Sequence, residues 1–414
     1  MISVTQAIET VLRELQPLPP EKVPLLDARG RVLAEDVHAP RDLPPRDNSA
    51  MDGYACRGED LSGEVRLRVV DEVQAGARRE QGLGPGEAVK IMTGAPVPPG
   101  ADVVVPVEDT DGEEGWVRVR KVPALGANIR LAGEDVGAGE LVLPRGTPIR
   151  PPEVGMLASL GRSQVAVHQR PRVAILATGD EIVELDASVD GGRIFNSNSY
   201  GIAAQVAEAG GVPVILGIGR DDPEGLREML DRAAGADVVI TTGGVSMGDY
   251  DFVRPVLAAS GVELVFWKVG MRPGKPVVFG TKGRVPFFGL PGNPVSAMVG
   301  FEEFVRPALR RLQGHRSIFR PVCEALLGGE AGPVKGKAGR VEFVRCRVER
   351  DGEQLRVVST KKRSSGILKT LVEANALLIL SESSPEAVPG DRVRVQLYDL
   401  GFLEGERPGL SGPE

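Results

Sequence analysis

Cysteine and histidine are nearly missing from this chain, with three of each in 414 residues. Cys56, Cys323 and Cys346 are odd in number and far apart, which excludes a disulfide framework and a four-cysteine zinc site. His38, His168 and His315 stand alone, and no nucleophile-elbow sequence accompanies them. Catalysis resting on an imidazole is therefore not expected. No run of eighteen apolar residues occurs, so no membrane span is expected. The start, MISVTQAIETVLRELQ, lacks the basic stretch and apolar core of a secretory signal, and a cytoplasmic protein is the expectation. A formal net charge of −7 argues against a nucleic-acid partner, which calls for a basic face. What remains is ordinary for a soluble globular protein: 42% hydrophobic and 26% charged residues. A chain of this length accommodates roughly two to four domains of about 100–200 residues each.

The informative stretch runs from Asp237 to Ser296. It reads DVVITTGGVSMGDYD, then KVGMRPGKPVVFG, then FFGLPGNPVSAMVGFEEF. Each segment carries an apolar strand broken by glycine or proline, with backbone N–H groups, hydroxyls or a lysine where the strand ends. That is a recipe for holding an anion. Gly243 and Gly244 let a phosphate approach the backbone, while Thr241, Thr242 and Ser246 supply hydroxyls. Asp249 and Asp251 close the same loop and make a seat for Mg²⁺. The bland alternative for each loop is a tight turn or a capped helix start with no ligand.

Around this stretch the texture changes three times. Residues 3–15 read as an amphipathic helix with Ser3 and Gln6 as a capping box and Val4, Ile8, Val11, Leu12 and Leu15 on one face. From 46 to 136, short apolar runs such as VRLRVVDEV and ADVVVPVE alternate with Gly and Pro, predicting a small β domain. From 169 to 315, strands alternate with helices, predicting a three-layer α/β domain with a parallel sheet. One of its helices is SNSYGIAAQVAEAG, with Ala203, Val206 and Ala207 inward. The last runs from Pro294 to Leu312, with Asn293 as its N-cap. Residues 318–400 return to β and read as a barrel-like domain, with RVEFVRCRVE alternating apolar residues against arginines. A further domain is assigned to residues 1–45 together with 137–168. The fold class is thus multidomain α/β plus all-β.

Several smaller constellations are weak alone. TGDE (178–181) ends the first α/β strand, and its Asp180 and Glu181 suit either a metal or a helix dipole. In GRDD (219–222), Asp221 or Asp222 before Pro223 is an ordinary N-cap. MRPGKP (271–276) places Arg272 and Lys275 on a Pro-Gly turn. KKRSSG (361–366) and GRVEF (339–343) combine Lys361, Lys362, Arg363 and Arg340 with two serines, as a solvated face or an oxyanion site.

Taken in order, SAMDGYA, MTGAPVPPGAD, NIRLAGED, TGDE, TGGVSMGDYDF, RPGKP, LPGNPVS and the late SSG resemble the molybdopterin molybdenumtransferase (MoeA) family, which is similar to the E domain of gephyrin. The match spans nearly the whole chain. The resemblance implies insertion of molybdenum from molybdate into adenylylated molybdopterin, with release of AMP and assistance from Mg²⁺. It implies a catalytic set of Asp52, Thr93, Glu181, Asp251 and Lys275. Asp180, Asp222, Thr242, Gly243, Gly244, Ser246, Pro291, Gly292, Asn293 and Pro294 would hold the pterin-phosphate substrate. Arg272, Lys275, Ser296, Arg340 and Ser365 would take molybdate, and Asp249 with Asp251 the magnesium. It further implies a homodimer in which Asp52 and Thr93 come from the partner subunit, with a molybdopterin adenylyltransferase and cofactor-receiving proteins as partners.

Two other readings compete. An adenylyltransferase of the same pocket type activates molybdopterin without inserting metal, and the additional N-terminal and C-terminal regions argue against it. A gephyrin-like scaffold without catalysis would let its polar loops decay, whereas Asp52, Thr93, Asp251 and Lys275 are all present.

Overall fold

The first helix forms where its capping signal places it. In α1 (Val4–Arg13) the Ser3 hydroxyl accepts from the Gln6 amide at 3.2 Å, and the Gln6 side chain accepts from the Ser3 amide at 3.1 Å. Val4, Ala7, Val11 and Leu15 are buried, and Ile8 packs against the same core. The computed structural model describes residues 1–403 except 78, 190, 220–221, 245–252 and 360–363. Ser246, Asp249, Asp251, Lys361, Lys362 and Arg363 lie outside the described residues.

The chain divides into two compact units. One comprises Pro24–Arg29 and Glu35–Val165. It contains a six-stranded sheet in the order Val103–Pro106, Gly53–Cys56, Glu87–Ile91, Val65–Val73, Trp116–Val119, Thr110–Glu113. Both faces are covered: Tyr54, Cys56, Val103 and Val105 enter one core, Ala55, Val89 and Val104 the other. That double coverage explains the unbroken apolar run VVVP.

The other unit comprises Met1–Val23, Gly30–Ala34 and Ala166–Glu414. Its α/β part is built from β1 (Arg172–Thr178), β2 (Ile182–Val183), β3 (Ile194–Phe195), α2 (Ser197–Glu208), β4 (Val212–Gly219), α3 (Pro223–Arg232), β5 (Val238–Thr242), α4 (Val253–Ala259), β6 (Glu263–Phe266), β7 (Met271–Arg272), β8 (Val278–Lys282) and β9 (Val285–Leu290). The main sheet runs β4-β1-β5-β9-β8-β6. Strands β4, β1, β5 and β9 are mutually parallel, while β8 and β6 add antiparallel. The loops after β1, β5 and β9 consequently open at one edge of the sheet. In α2 the inward residues are Ser199, Ile202 and Val206. Ala207, expected inward, is exposed. A helix repeat of 3.6 residues carries Ile202 and Val206 to one face and Ala207 past it.

The helix expected over 294–312 is broken into α5 (Pro294–Gly300), a π-helical turn (Phe301–Val305) and α6 (Arg306–Leu312). Pro307 supplies no amide and its ring crowds the carbonyl four residues earlier, so a wider turn accommodates it. The turn buries Phe301 and Phe304 in the main core and carries Glu302 and Glu303 inside with them.

Burial pushes the Glu303 carboxyl up to about 8; the neighbouring Glu302 adds to the shift, and a hydrogen bond from Gln396 and the charge of Arg306 oppose it. A raised carboxyl keeps its proton in the folded state, so its stabilisation is complete below the unfolded value near 4.5 and is lost as pH climbs towards 8. Burial, with Arg310 and Arg306, holds His315 down at about 4, which gives the opposite slope between 4 and its unfolded 6.5. The two terms offset each other up to about pH 6.5, above which the Glu303 term stands alone. Stability to urea should therefore fall between pH 6.5 and 8, by up to about 1.4 kcal/mol per pH unit. In Glu303→Gln the decline should disappear, and an unchanged decline would remove Glu303 as its source.

The remaining strands form a closed barrel: β10 (Val322–Leu327), β11 (Val341–Asp351), β12 (Gln354–Ser359), β13 (Ala376–Leu380) and β14 (Arg392–Leu397). The circuit β11-β12-β10-β14-β13 returns to β11. Val344, Cys346 and Val348 fill the barrel, whereas Phe343 joins the α/β core. Glu342 through Cys346 are buried without a break, so the expected alternation of apolar and solvent-facing residues holds only beyond them. Among the described residues no helix is long and apolar enough to cross a membrane.

Candidate active site

Two adjoining clefts open at the carboxyl edge of the α/β sheet. The larger, about 620 Å³, has Thr178, Gly179 and Glu181 from the end of β1, Gly243 and Gly244 from the end of β5, and Pro291–Pro294 from the end of β9 on its walls. The smaller, about 460 Å³, is lined by Arg272, Lys275, Ser296, Arg340, Glu342, Arg345 and Ser365 among others. Pro276, Pro291 and Asn293 line both. Three loops distant in sequence thus meet because three parallel strands end side by side.

The larger cleft is held by short polar ties. Asn198 Nδ2 donates to Thr242 Oγ1 at 2.9 Å and to the Gly292 carbonyl at 2.8 Å, and Thr242 Oγ1 lies 3.3 Å from the Pro291 carbonyl. Thr242 is only 1% exposed and does not line the cleft, so it braces the loops from beneath. The Gly243 amide donates to the Leu290 carbonyl at 3.1 Å. Its contribution is close approach of the backbone, and its N–H, read above as facing a phosphate, is already used. Asn293 occupies the N-cap position of α5 but makes no capping bond. Its side chain is exposed along both clefts, because the Val295 amide is taken by the Ser365 carbonyl at 3.1 Å.

The smaller cleft is assembled by the barrel. Strand β7 adds to β11 in parallel, with Arg272 opposite Glu342. This register brings the Pro-Gly turn of 272–276 against Arg340. At its centre Gly274 has φ +93°, a conformation that suits glycine. Four cationic side chains face one carboxylate here. Glu342 is 4% exposed, and its Oε1 accepts from the Lys337 amide at 3.1 Å and from Arg272 Nη1 at 3.4 Å. Among the described residues neither Lys275 nor Arg340 has an ion-pair partner. An anion with several acceptor oxygens is the matching ligand.

Arg345 escaped the sequence reading because it looked like one of several strand arginines facing water. It is 2% exposed, with Nε on Thr370 Oγ1 and Nη2 on the Ser364 carbonyl, each at 3.2 Å. It therefore fixes the loop carrying Ser365. Asn198 also had no local signal beyond its place in the first turn of α2.

Other expected residues sit elsewhere. Asp222 caps α3, accepting from the Gly225 amide at 2.6 Å, and does not line either cleft. Asp180 is exposed beside Glu181. In the other unit, Gly53 pairs with Ile91 across antiparallel strands, and this register sets Asp52 beside Thr93. Asp52 Oδ1 accepts from the Thr93 amide at 2.6 Å and from its hydroxyl at 2.7 Å. These two bonds lower the Asp52 pKa from the ordinary carboxylate value. Among the described residues no three His, Cys, Asp or Glu side chains converge to hold a metal ion. Glu181 alone in the larger cleft does not make a site for a divalent cation.

Three family descriptions match in sequence order: the MoeA N-terminal region (domain I and II) over 2–161, a probable molybdopterin binding domain over 174–311, and the MoeA C-terminal region (domain IV) over 329–398. Molybdopterin molybdenumtransferase 2 of Mycobacterium tuberculosis is 40% identical over 413 residues, covering 97% of this chain and 100% of that protein.

The chain belongs to the molybdopterin molybdenumtransferase family.

The Nostoc molybdopterin molybdenumtransferase is likewise 40% identical, over 87% of this chain and 84% of its own. The molybdopterin biosynthesis MoeA protein of Pyrococcus horikoshii has a TM-score of 0.81 at 33% identity, covering 96% of this chain and 100% of that one. These family members are transferases of molybdenum cofactor biosynthesis, and this chain is a transferase of the same class.

Proposed function

We propose that the protein transfers molybdenum from molybdate into adenylylated molybdopterin, with AMP released and Mg²⁺ assisting. The observation that carries this reading is the junction of the two clefts: a glycine- and proline-lined cavity beside one rich in unpaired cations, sharing Pro276, Pro291 and Asn293. The pterin phosphate is assigned to the larger cleft and the tetrahedral molybdate dianion to the smaller. Lys275, Arg272 and Arg340 neutralise the dianion, while Ser296 and Ser365 offer hydroxyl donors to its oxygens. When the dithiolene replaces an oxo ligand, the two thiol protons leave with that oxygen as water. The phosphoanhydride is cleaved by a second water. Both steps call for positioned charge and need no protein nucleophile, which suits a site without histidine. Mg²⁺ supplies charge neutralisation at the phosphoanhydride, and Asp249 and Asp251 are the residues assigned to it.

The test is incubation of the purified protein with adenylylated molybdopterin and molybdate, with and without Mg²⁺, following AMP release and metal incorporation. AMP release without metal uptake overturns the transfer reading. The proposal includes a homodimer in which the Asp52–Thr93 pair of one subunit completes the cleft of the other. Mixing inactive Asp52→Ala with inactive Lys275→Ala subunits should then restore about a quarter of wild-type activity, because random exchange leaves one intact site in about half of the dimers. No recovery from subunits shown to exchange would place Asp52 and Lys275 in the same subunit's site.

A further inference from the structure

The larger cleft has one wall that phosphate binding does not use. Ile194 and Phe195 line it and are 55% and 44% exposed, in a protein that otherwise buries Phe279, Phe288, Phe301 and Phe304 completely or nearly so. A phenylalanine held in water forfeits the burial it would otherwise contribute. The segment is also rigidly held. Strand β3 pairs with β2, the Ile194 amide donates to the Glu181 carbonyl at 2.8 Å, and the Asn196 amide donates to the Val183 carbonyl at 2.9 Å. Asn196 itself is buried and caps α2 through the Ser199 amide. Phe195 is thus anchored on both sides while its ring stays at the cleft. Across the same cleft, Thr178 is 4% exposed, and its Oγ1 has no hydrogen-bond partner among the described residues.

We propose that Phe195, with Ile194 beside it, is the platform on which a planar heterocycle of the substrate stacks, leaving its phosphate at the glycine- and proline-lined loops and its polar edge within reach of Thr178. This rests on the substrate class proposed above and adds the residue that reads its ring. A pre-positioned aromatic face is the economical way to bind a flat π-system, since little side-chain freedom is lost on binding. Purine and pterin rings share this chemistry, and an adenylylated pterin carries both.

The test is the affinity of wild type, Phe195→Ala, Phe195→Leu and Phe195→Trp for three probes: AMP, molybdopterin and adenylylated molybdopterin. Stacking predicts about 10- to 100-fold weaker binding by Phe195→Ala. Phe195→Leu, apolar but not planar, should recover little of it, and Phe195→Trp should bind as well as wild type with its fluorescence quenched by the ring. Loss confined to AMP and the adenylylated substrate identifies adenine as the stacked ring. Loss confined to molybdopterin and the adenylylated substrate identifies the pterin. Wild-type affinity in Phe195→Ala for all three probes overturns the platform and leaves the transferase reading intact. Failure of wild type to bind any of the three overturns both.

Discussion

Replacing Gly243 with alanine should destabilise the unit that carries the clefts by about 2–5 kcal/mol and abolish substrate binding at permissive temperature. Gly243 has φ +97°, where any side chain is strained. A Cβ at this position would lie 2.4 Å from the Thr178 carbonyl oxygen and 3.0 Å from Thr178 Oγ1. The obstacle is backbone of the adjacent strand, because β1 and β5 are paired up to Ala177 and Thr242, and neither can retreat without breaking the ladder. Relief would come by moving Thr178 or the 243–244 turn, and both are cleft wall. Gly292 gives the control. It lacks a positive φ, and its Cβ would meet nothing nearer than the Gly243 Cα at 3.6 Å, an ordinary contact. Gly292→Ala should unfold within about 0.5 kcal/mol of wild type, so any loss of affinity there reports on the cleft alone. Urea midpoints for the pair decide the matter: equal midpoints for Gly243→Ala and wild type would mean that the close approach is not required.

The parts legible in the sequence were those fixed by local periodicity and turn chemistry. The strand–glycine–helix texture of 172–290 was enough to place TTGG and LPGNP at one sheet edge, since parallel strands joined by right-handed crossovers end together. The long-range register was not legible. Nothing near Arg272 announces that it pairs with β11, seventy residues later, yet that pairing is what brings MRPGKP against Arg340 and Glu342. The same register buries Glu342 and Arg345. Their alternation with Val344 and Cys346 looks like a half-exposed strand, but the barrel covers one face of β11 and the α/β core covers part of the other. Asn293 illustrates the converse error. Asn-Pro is a sound helix-start signal and the helix does start there, but the Ser365 carbonyl, which no local rule could supply, takes an amide of the first turn.

Replacing Lys275 with alanine should raise the molybdate KM by about 10- to 100-fold while leaving AMP affinity in the larger cleft unchanged. The side chain is half-buried, its carbonyl is tied to the Val269 amide at 3.0 Å, and the Gly274 turn sets its direction, so its ammonium is presented rather than tethered. Removing a charged donor from a partly desolvated oxyanion site costs about 1.5–3 kcal/mol. Lys275→Arg should recover the charge but not the compact point donor, and so only part of the affinity. Added salt should weaken molybdate binding in wild type and do so less in Lys275→Ala, because one screened attraction is gone. Stability should move the other way. With four cations around a single carboxylate, the unliganded cleft is self-repelling, and deleting one cation should leave the fold as stable as wild type or slightly more so. A residue that served only packing would lose stability and affinity together. An unchanged molybdate KM, or a loss of AMP binding equal to that of molybdate, would remove Lys275 from the oxyanion site.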